Sequence, residues 1–179
     1  VSLHEFHPHI RWTAKKIGLI FFFTILIFVF TLFAVKKTTA GYLNFGNTFV
    51  ILISLYFGPE ISVFSAGVGS SLADLALKRS DWAIQTLIIK STMALIISFL
   101  SRRRPDIKLS SLTTFVGALV GSIYCAIMYA IASGIMTKNY IIGFYELKWL
   151  LIEGAVNFVL FYIVGFIVSK TRLYKMLYN

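Results

Sequence analysis

The chain has 179 residues, of which 58% are apolar and 13% charged, with a mean hydropathy of +0.83. Soluble domains hold about half apolar and about a quarter charged residues, and the large surface of a small body leaves no interior for this excess, so a water-soluble fold is excluded. The net charge of +10 sits in short clusters between apolar runs, not along one face, which speaks against a nucleic-acid binder and for membrane topology.

The first apolar run, 17–35, follows Lys15 and Lys16 but is too long for a signal peptide and ends in Lys36 and Lys37 without a small-residue cleavage pattern. It is read as a retained first span. The polar stretch 36–46, with Gly41, Asn44 and Gly46, is read as an external loop. A second apolar segment, 47–57, ends at Gly58 and Pro59, a pair that stops one helix and starts the next.

The third segment, 60–77, is rich in small residues, among them Ser62, Ser65, Ala66, Gly67, Gly69, Ser70 and Ala73. Helices in lipid are held by close van der Waals contact, so this helix is expected at the centre. Segments two and three are short for full spans and are expected to be tilted or partly enclosed by protein. A polar turn at 78–81 leads to a fourth span, 82–100, followed by a loop holding Arg102, Arg103, Arg104 and Lys108 around Pro105. The fifth span is 111–134, the next loop 136–148 and the sixth span 149–169. The expected fold is therefore an all-α membrane protein, a single six-transmembrane-helix bundle.

Basic residues in short loops set orientation. With six spans, Arg11, Lys15, Lys16, Arg102, Arg103, Arg104, Lys108, Lys170, Arg172 and Lys175 share one face, against Lys36, Lys37, Lys78, Arg79, Lys138 and Lys148 on the other. Both termini are therefore expected in the cytoplasm. Three ionisable groups interrupt the apolar spans, Asp74, Lys90 and Glu153, each at a cost of about 2.5 to 3.5 kcal/mol near a helix centre. All three fall in the outer half of the bilayer. Glu153 and Asn157, four apart, share a helix face, while Gln85 and Lys90, five apart, align only roughly.

These groups admit two readings, a polar pocket open to the outside or an internal ion pair of Lys90 with Asp74 or Glu153 that fixes packing. The external loop adds Tyr42, Asn44, Phe45 and Asn47, rings and amides suited to covering a small ring compound. Trp82, Tyr140, Tyr145 and Trp149 are read as headgroup-level anchors, and His4, His7 and His9 lack the partners of a metal site. Cys125, the single cysteine, is read as a small buried hydrophobe. No nucleophile elbow, paired-histidine or phosphate-loop pattern is present, so no enzyme activity is expected.

The stretches Asn44-Phe45-Gly46-Asn47, Phe57-Gly58-Pro59, Ala66-Gly67-Val68-Gly69-Ser70-Ser71-Leu72-Ala73-Asp74, Trp82-Ala83 and Thr86-Leu87-Ile88-Ile89-Lys90 resemble the substrate-binding S components of energy-coupling factor (ECF) vitamin transporters. The resemblance implies a bundle in a bacterial plasma membrane that captures a vitamin from outside and docks on a transmembrane T protein and two ATPases. ATP would be used by those partners, and no cofactor would be bound by this chain. It also implies a small-xxx-small contact for the T protein on the first helix; Ala14 and Gly18 have that spacing, although the span is crowded with Phe and Ile instead of Ala. The closest subfamily is the hydroxymethylpyrimidine or pyridoxine-like group, with pantothenate and riboflavin carriers as alternatives. The expected substrate contacts are Tyr42, Asn44, Phe45, Asn47, Asp74, Gln85, Lys90, Glu153 and Asn157. From a different class, a ligand-free membrane scaffold or assembly subunit is the alternative.

Overall fold

A computed structural model of the protein describes residues 13–33, 36–37, 42–101 and 109–170. His4, His7, His9, Arg11, Gly41, the basic cluster from Arg102 to Lys108, Arg172 and Lys175 lie outside the described residues, as does the side chain of Tyr42. In chain order the elements are α1 (Ala14–Leu32), β1 (Lys36–Lys37), β2 (Tyr42–Leu43), α2 (Gly46–Phe57), α3 (Pro59–Ala76), α4 (Ala83–Leu100), α5 (Leu112–Met136) and α6 (Tyr140–Lys170). The external segment expected to be a loop holds a short antiparallel hairpin, with Lys36 opposite Leu43 and Lys37 opposite Tyr42.

Four of the helices, α1, α4, α5 and α6, are long and apolar enough to cross a bilayer by themselves. The chain is thus a multi-pass membrane protein. At 12 residues, α2 reaches only about 18 Å, well short of a hydrocarbon core of about 30 Å. Small and hydroxyl-bearing residues dilute the apolar character of α3.

Each spanning helix turns a stripe inward and the rest to lipid. On α1 the buried residues Phe23, Ile27 and Thr31 recur every four positions, while Phe21, Phe22, Ile25 and Val29 stand exposed. Thr13 starts this helix by accepting from the Lys16 backbone N–H at 3.3 Å. The Lys16 amine pairs with Glu60, tying the first turn of α1 to the first turn of α3.

The central helix is α2, not the small-residue helix α3 as the sequence suggested. From Gly46 to Tyr56 every α2 residue except Phe49 is buried, and α2 packs on all five other helices. A sharp reversal links it to α3, made by Gly58 at φ 70° and ψ −176°, a conformation essentially restricted to glycine, with Pro59 as the first helical residue.

The small residues of α3 serve close approach on two sides instead. A Cβ at Gly69 would lie 2.7 Å from the Thr24 carbonyl oxygen of α1, and one at Gly67 would overlap the Ser91 hydroxyl of α4. The remaining face, Phe64, Val68, Leu72 and Leu75, is exposed.

The sixth helix begins at Tyr140, well before Trp149, and absorbs most of the segment expected as a loop. Its inward residues Gly143, Glu146, Leu150, Glu153, Asn157, Phe161 and Gly165 keep helical spacing throughout. The mixture of tyrosines, glycine and charges in 140–148 conceals that period from a hydropathy reading. Tight contact with α5 enforces it, since a Cβ at Gly143 would collide with the Ala130 carbonyl.

Gly69→Leu is expected to lower stability by about 1–3 kcal/mol through overpacking against α1, whereas Leu72→Ala on the lipid-facing side shifts it by no more than about 0.5 kcal/mol. Thermal unfolding of the two purified variants in detergent measures the difference.

Candidate ligand-binding site

At the end of the bundle where α1, α3 and α5 finish and α2 and α4 begin, the polar side chains of six elements meet around one cavity. Thr31 comes from α1, Asn44 from the two residues joining β2 to α2, Ser70 and Asp74 from α3, Thr86 and Lys90 from α4, Tyr129 from α5, and Leu150 and Glu153 from α6. The empty space of the recess, its open mouth included, is about 320 Å³. Asp74 and Lys90 are each 4% exposed and Glu153 7%, so all three charged groups expected to converge border the same enclosed space.

The acid and the amine are joined through an amide. Asn47 donates from Nδ2 to Glu153 Oε1 at 3.0 Å and accepts at Oδ1 from the Lys90 amine. The Lys90 amine also donates to Cys125 Sγ at 3.6 Å and lies 5.2 Å from the centre of the Tyr129 ring. Glu153 Oε1 accepts a second amide bond, from Asn44 Nδ2 at 3.0 Å. Of the two readings open in the sequence, a direct Lys90–Glu153 pair is replaced by this three-residue relay. Tyr129 extends it by donating to Thr86 Oγ1 at 2.9 Å.

Beneath the relay, Asn157 ties three segments together. Its Oδ1 accepts from the Thr48 N–H at 3.0 Å and from the Thr48 hydroxyl at 2.8 Å, and its Nδ2 donates to the carbonyls of Asn44 at 2.8 Å and Glu153 at 3.0 Å. Asn44 in turn accepts at Oδ1 from the Gly46 N–H at 2.9 Å, which turns the chain from the hairpin into α2. A side chain at Gly46 would overlap Thr31 Oγ1 and crowd Asn44 Oδ1.

The expected residues thus divide by position. Asn44, Asp74, Lys90 and Glu153 line the cavity, and Asn47 and Asn157 sit behind them as hydrogen-bonding supports. Phe45 is half-buried beside the start of α2, and Tyr42 contributes its backbone to the hairpin. Gln85 does not join the cavity, because five residues along a helix is about 140° away from Lys90. Its Oε1 is buried with no hydrogen-bond partner among the described residues.

Thr86, one full turn before Lys90, takes the place expected for Gln85. Ser70 stands in the same relation to Asp74, so spacing of four from each charge could have found both. Trp82, expected at the headgroups, is 5% exposed and stacks on Tyr129 at 6.0 Å, with the Arg79 guanidinium 5.2 Å from its ring. Tyr140 and Tyr145 are exposed, as an interfacial position requires. Ala14 and Gly18 are exposed on α1, with nothing within 4 Å of a Cβ added at Gly18.

Fold and cavity together define a multi-pass membrane protein that encloses a polar, charged recess in one end of an otherwise apolar bundle. Across residues 11–179 the chain matches the family described as ECF-type riboflavin transporter, S component, and it belongs to that family, whose members are transport components for vitamin uptake and not an enzyme class. It is also 31% identical over 123 residues to a protein of Pyrococcus woesei described as an uncharacterized protein in gap 3'region, a match covering 67% of this chain and 82% of that protein.

Asn157→Leu leaves the buried Asn44 carbonyl without its amide and is expected to cost about 1–3 kcal/mol. Gln85→Leu, which removes a buried oxygen that lacks a partner, is expected to be neutral or stabilising. Unfolding midpoints of both variants in the same detergent check the contrast.

Proposed function

We propose that the chain is the substrate-binding subunit of an ECF-type importer, capturing a small water-soluble vitamin from outside and delivering it with a T protein and two ATPases. The observation carrying this reading is that three nearly buried charged groups from three helices border one cavity in a member of this family. Charges so costly in lipid are kept where they serve a ligand or a permeation path.

In this reading Asp74 and Glu153 accept from amino or hydroxyl groups of the ligand and Lys90 donates to a ring nitrogen or oxygen. Asn44, Asn47 and Asn157 orient them, and the segment bearing Tyr42 and Phe45 closes over the bound ring. The exposed Ala14 and Gly18 face of α1 offers the close approach that docking on the T protein needs. ATP is used by the partners. The excess of Lys and Arg in one set of loops along the sequence supports a plasma-membrane protein with both termini in the cytoplasm, its six helical segments including a short α2 enclosed by protein.

The narrow recess and its lining of amide, hydroxyl and charged groups support a single-ring vitamin such as hydroxymethylpyrimidine or a pyridoxine-like compound as the first reading. Riboflavin is the second reading, supported by the description of the family; its three fused rings and ribityl chain would require the helices around the cavity to part.

Mass spectrometry of small molecules released on denaturing the purified protein is expected to find such a vitamin. Lys90→Met, folded and monodisperse, is expected to bind it about 10- to 100-fold more weakly, the loss of a charged hydrogen bond. A folded variant with undiminished affinity would remove Lys90 from the site.

A further inference from the structure

Among the described residues that line the cavity, Tyr129 is the one ring and Leu150 the one aliphatic side chain. Leu150 belongs to a small buried cluster with Trp82, Ala126 and Ala130, apart from the main core, and Tyr129 packs against both clusters. Trp82 stands behind this wall, 5% exposed and outside the lining itself. The Thr86 N–H donates to the Trp82 carbonyl at 2.9 Å, so Trp82, Thr86 and Lys90 recur every four positions on one helical face, from the indole through the hydroxyl to the amine.

Tyr129 of α5 meets all three. Its ring stacks on Trp82 with the planes 29° apart, its hydroxyl donates to Thr86 Oγ1, and the Lys90 amine lies 5.2 Å from its centre. An ammonium group has three protons to place. Asn47 takes one, and the Cys125 sulfur at 3.6 Å is a weak acceptor, so the electron-rich face of Tyr129 completes the surroundings of the amine. The bond to Thr86 fixes only the tip of the Tyr129 ring, which can still roll about its long axis. The flat indole of Trp82 sets the plane. Arg79 holds that indole in turn, its guanidinium 5.2 Å from the ring and its carbonyl accepting from the Trp82 N–H at 2.9 Å.

Resting on the vitamin-carrier reading above, we propose that Trp82 is a positioning residue for ligand binding, acting through the ring plane of Tyr129 on the Lys90 amine in the cavity wall. Trp82 itself touches no ligand. Without the indole, the Tyr129 ring turns away from the plane it now presents to the cavity, and the amine loses the face it rests on. Because Trp82 packs in the smaller cluster, its replacement leaves the main core intact.

The full chain in detergent is titrated by calorimetry with hydroxymethylpyrimidine, pyridoxine and riboflavin, and the compound that binds is carried through the variants. Trp82→Leu is expected to weaken it by about 5- to 10-fold, the contribution of an aromatic pair, and Trp82→Phe, which keeps a flat ring, by less than about 2-fold. Tyr129→Leu removes the intermediary, so adding Trp82→Leu to it is expected to bring no further loss. In a chain carrying Trp12→Phe and Trp149→Phe, Trp82 is the remaining tryptophan, and its emission is expected to change as the ligand saturates, a readout that does not depend on Trp82→Leu folding. A folded Trp82→Leu of parent affinity, a Trp82→Phe as weak as Trp82→Leu, losses that multiply in the double variant, or Trp82 emission indifferent to saturating ligand overturns the proposal while leaving the carrier reading intact. A parent chain that binds none of the three compounds and releases no vitamin on denaturation overturns both.

Discussion

A carboxylate and an ammonium group held inside an apolar bundle without touching each other are the constraint from which the rest of the architecture follows. Two such charges left to themselves close into a direct pair, because attraction in a low-dielectric interior is strong and each is costly alone. Asn47 prevents this by donating to one and accepting from the other. An amide carries its donor and its acceptor on separate atoms and so answers both at once. The consequence is a recess bordered by both Glu153 and Lys90, neither consumed by the other.

Holding Asn47 between α4 and α6 demands that its helix run through the middle of the bundle. That explains why α2 is short and nearly wholly buried, why Gly58 reverses the chain directly after it, and why α3 carries small residues on the faces toward α1 and α4. Lipid supplies no hydrophobic drive for this packing, so close backbone approach has to substitute for it. The outer surfaces of α1, α5 and α6 are free of such demands and are filled with Phe, Ile, Val and Leu.

The hairpin segment and the acid are mechanically connected. Asn44 bonds Glu153 through its side chain and Asn157 through its carbonyl, so the chain leaving β2 is fastened to α6 by the same residues that shape the cavity wall. In the proposed carrier, a ligand group that competes for Glu153 would also act on this fastening and so couple occupancy of the recess to the position of the hairpin segment.

The amino-acid sequence alone determined the solvent of this protein, that it is built of apolar helices, and which charged residues had to find company, because those properties are local sums of hydropathy and of the cost of burying charge. Asp74, Lys90 and Glu153 announced themselves in that way. Thr31, Ser70, Thr86 and Tyr129 did not, since hydroxyl side chains satisfy themselves along a helix at little cost and leave no mark on a hydropathy profile. The early start of α6 was hidden for a related reason: the partner that holds 140–148 helical is α5, not the segment's own composition. Only the tertiary structure decided that α2 and not α3 lies at the centre, that Trp82 faces inward, that Gln85 turns away, and that an asparagine bridges the charges. The partners of Asn47 are 43 and 106 residues distant in the chain, and no periodicity of one helix encodes which side chain of another it will meet.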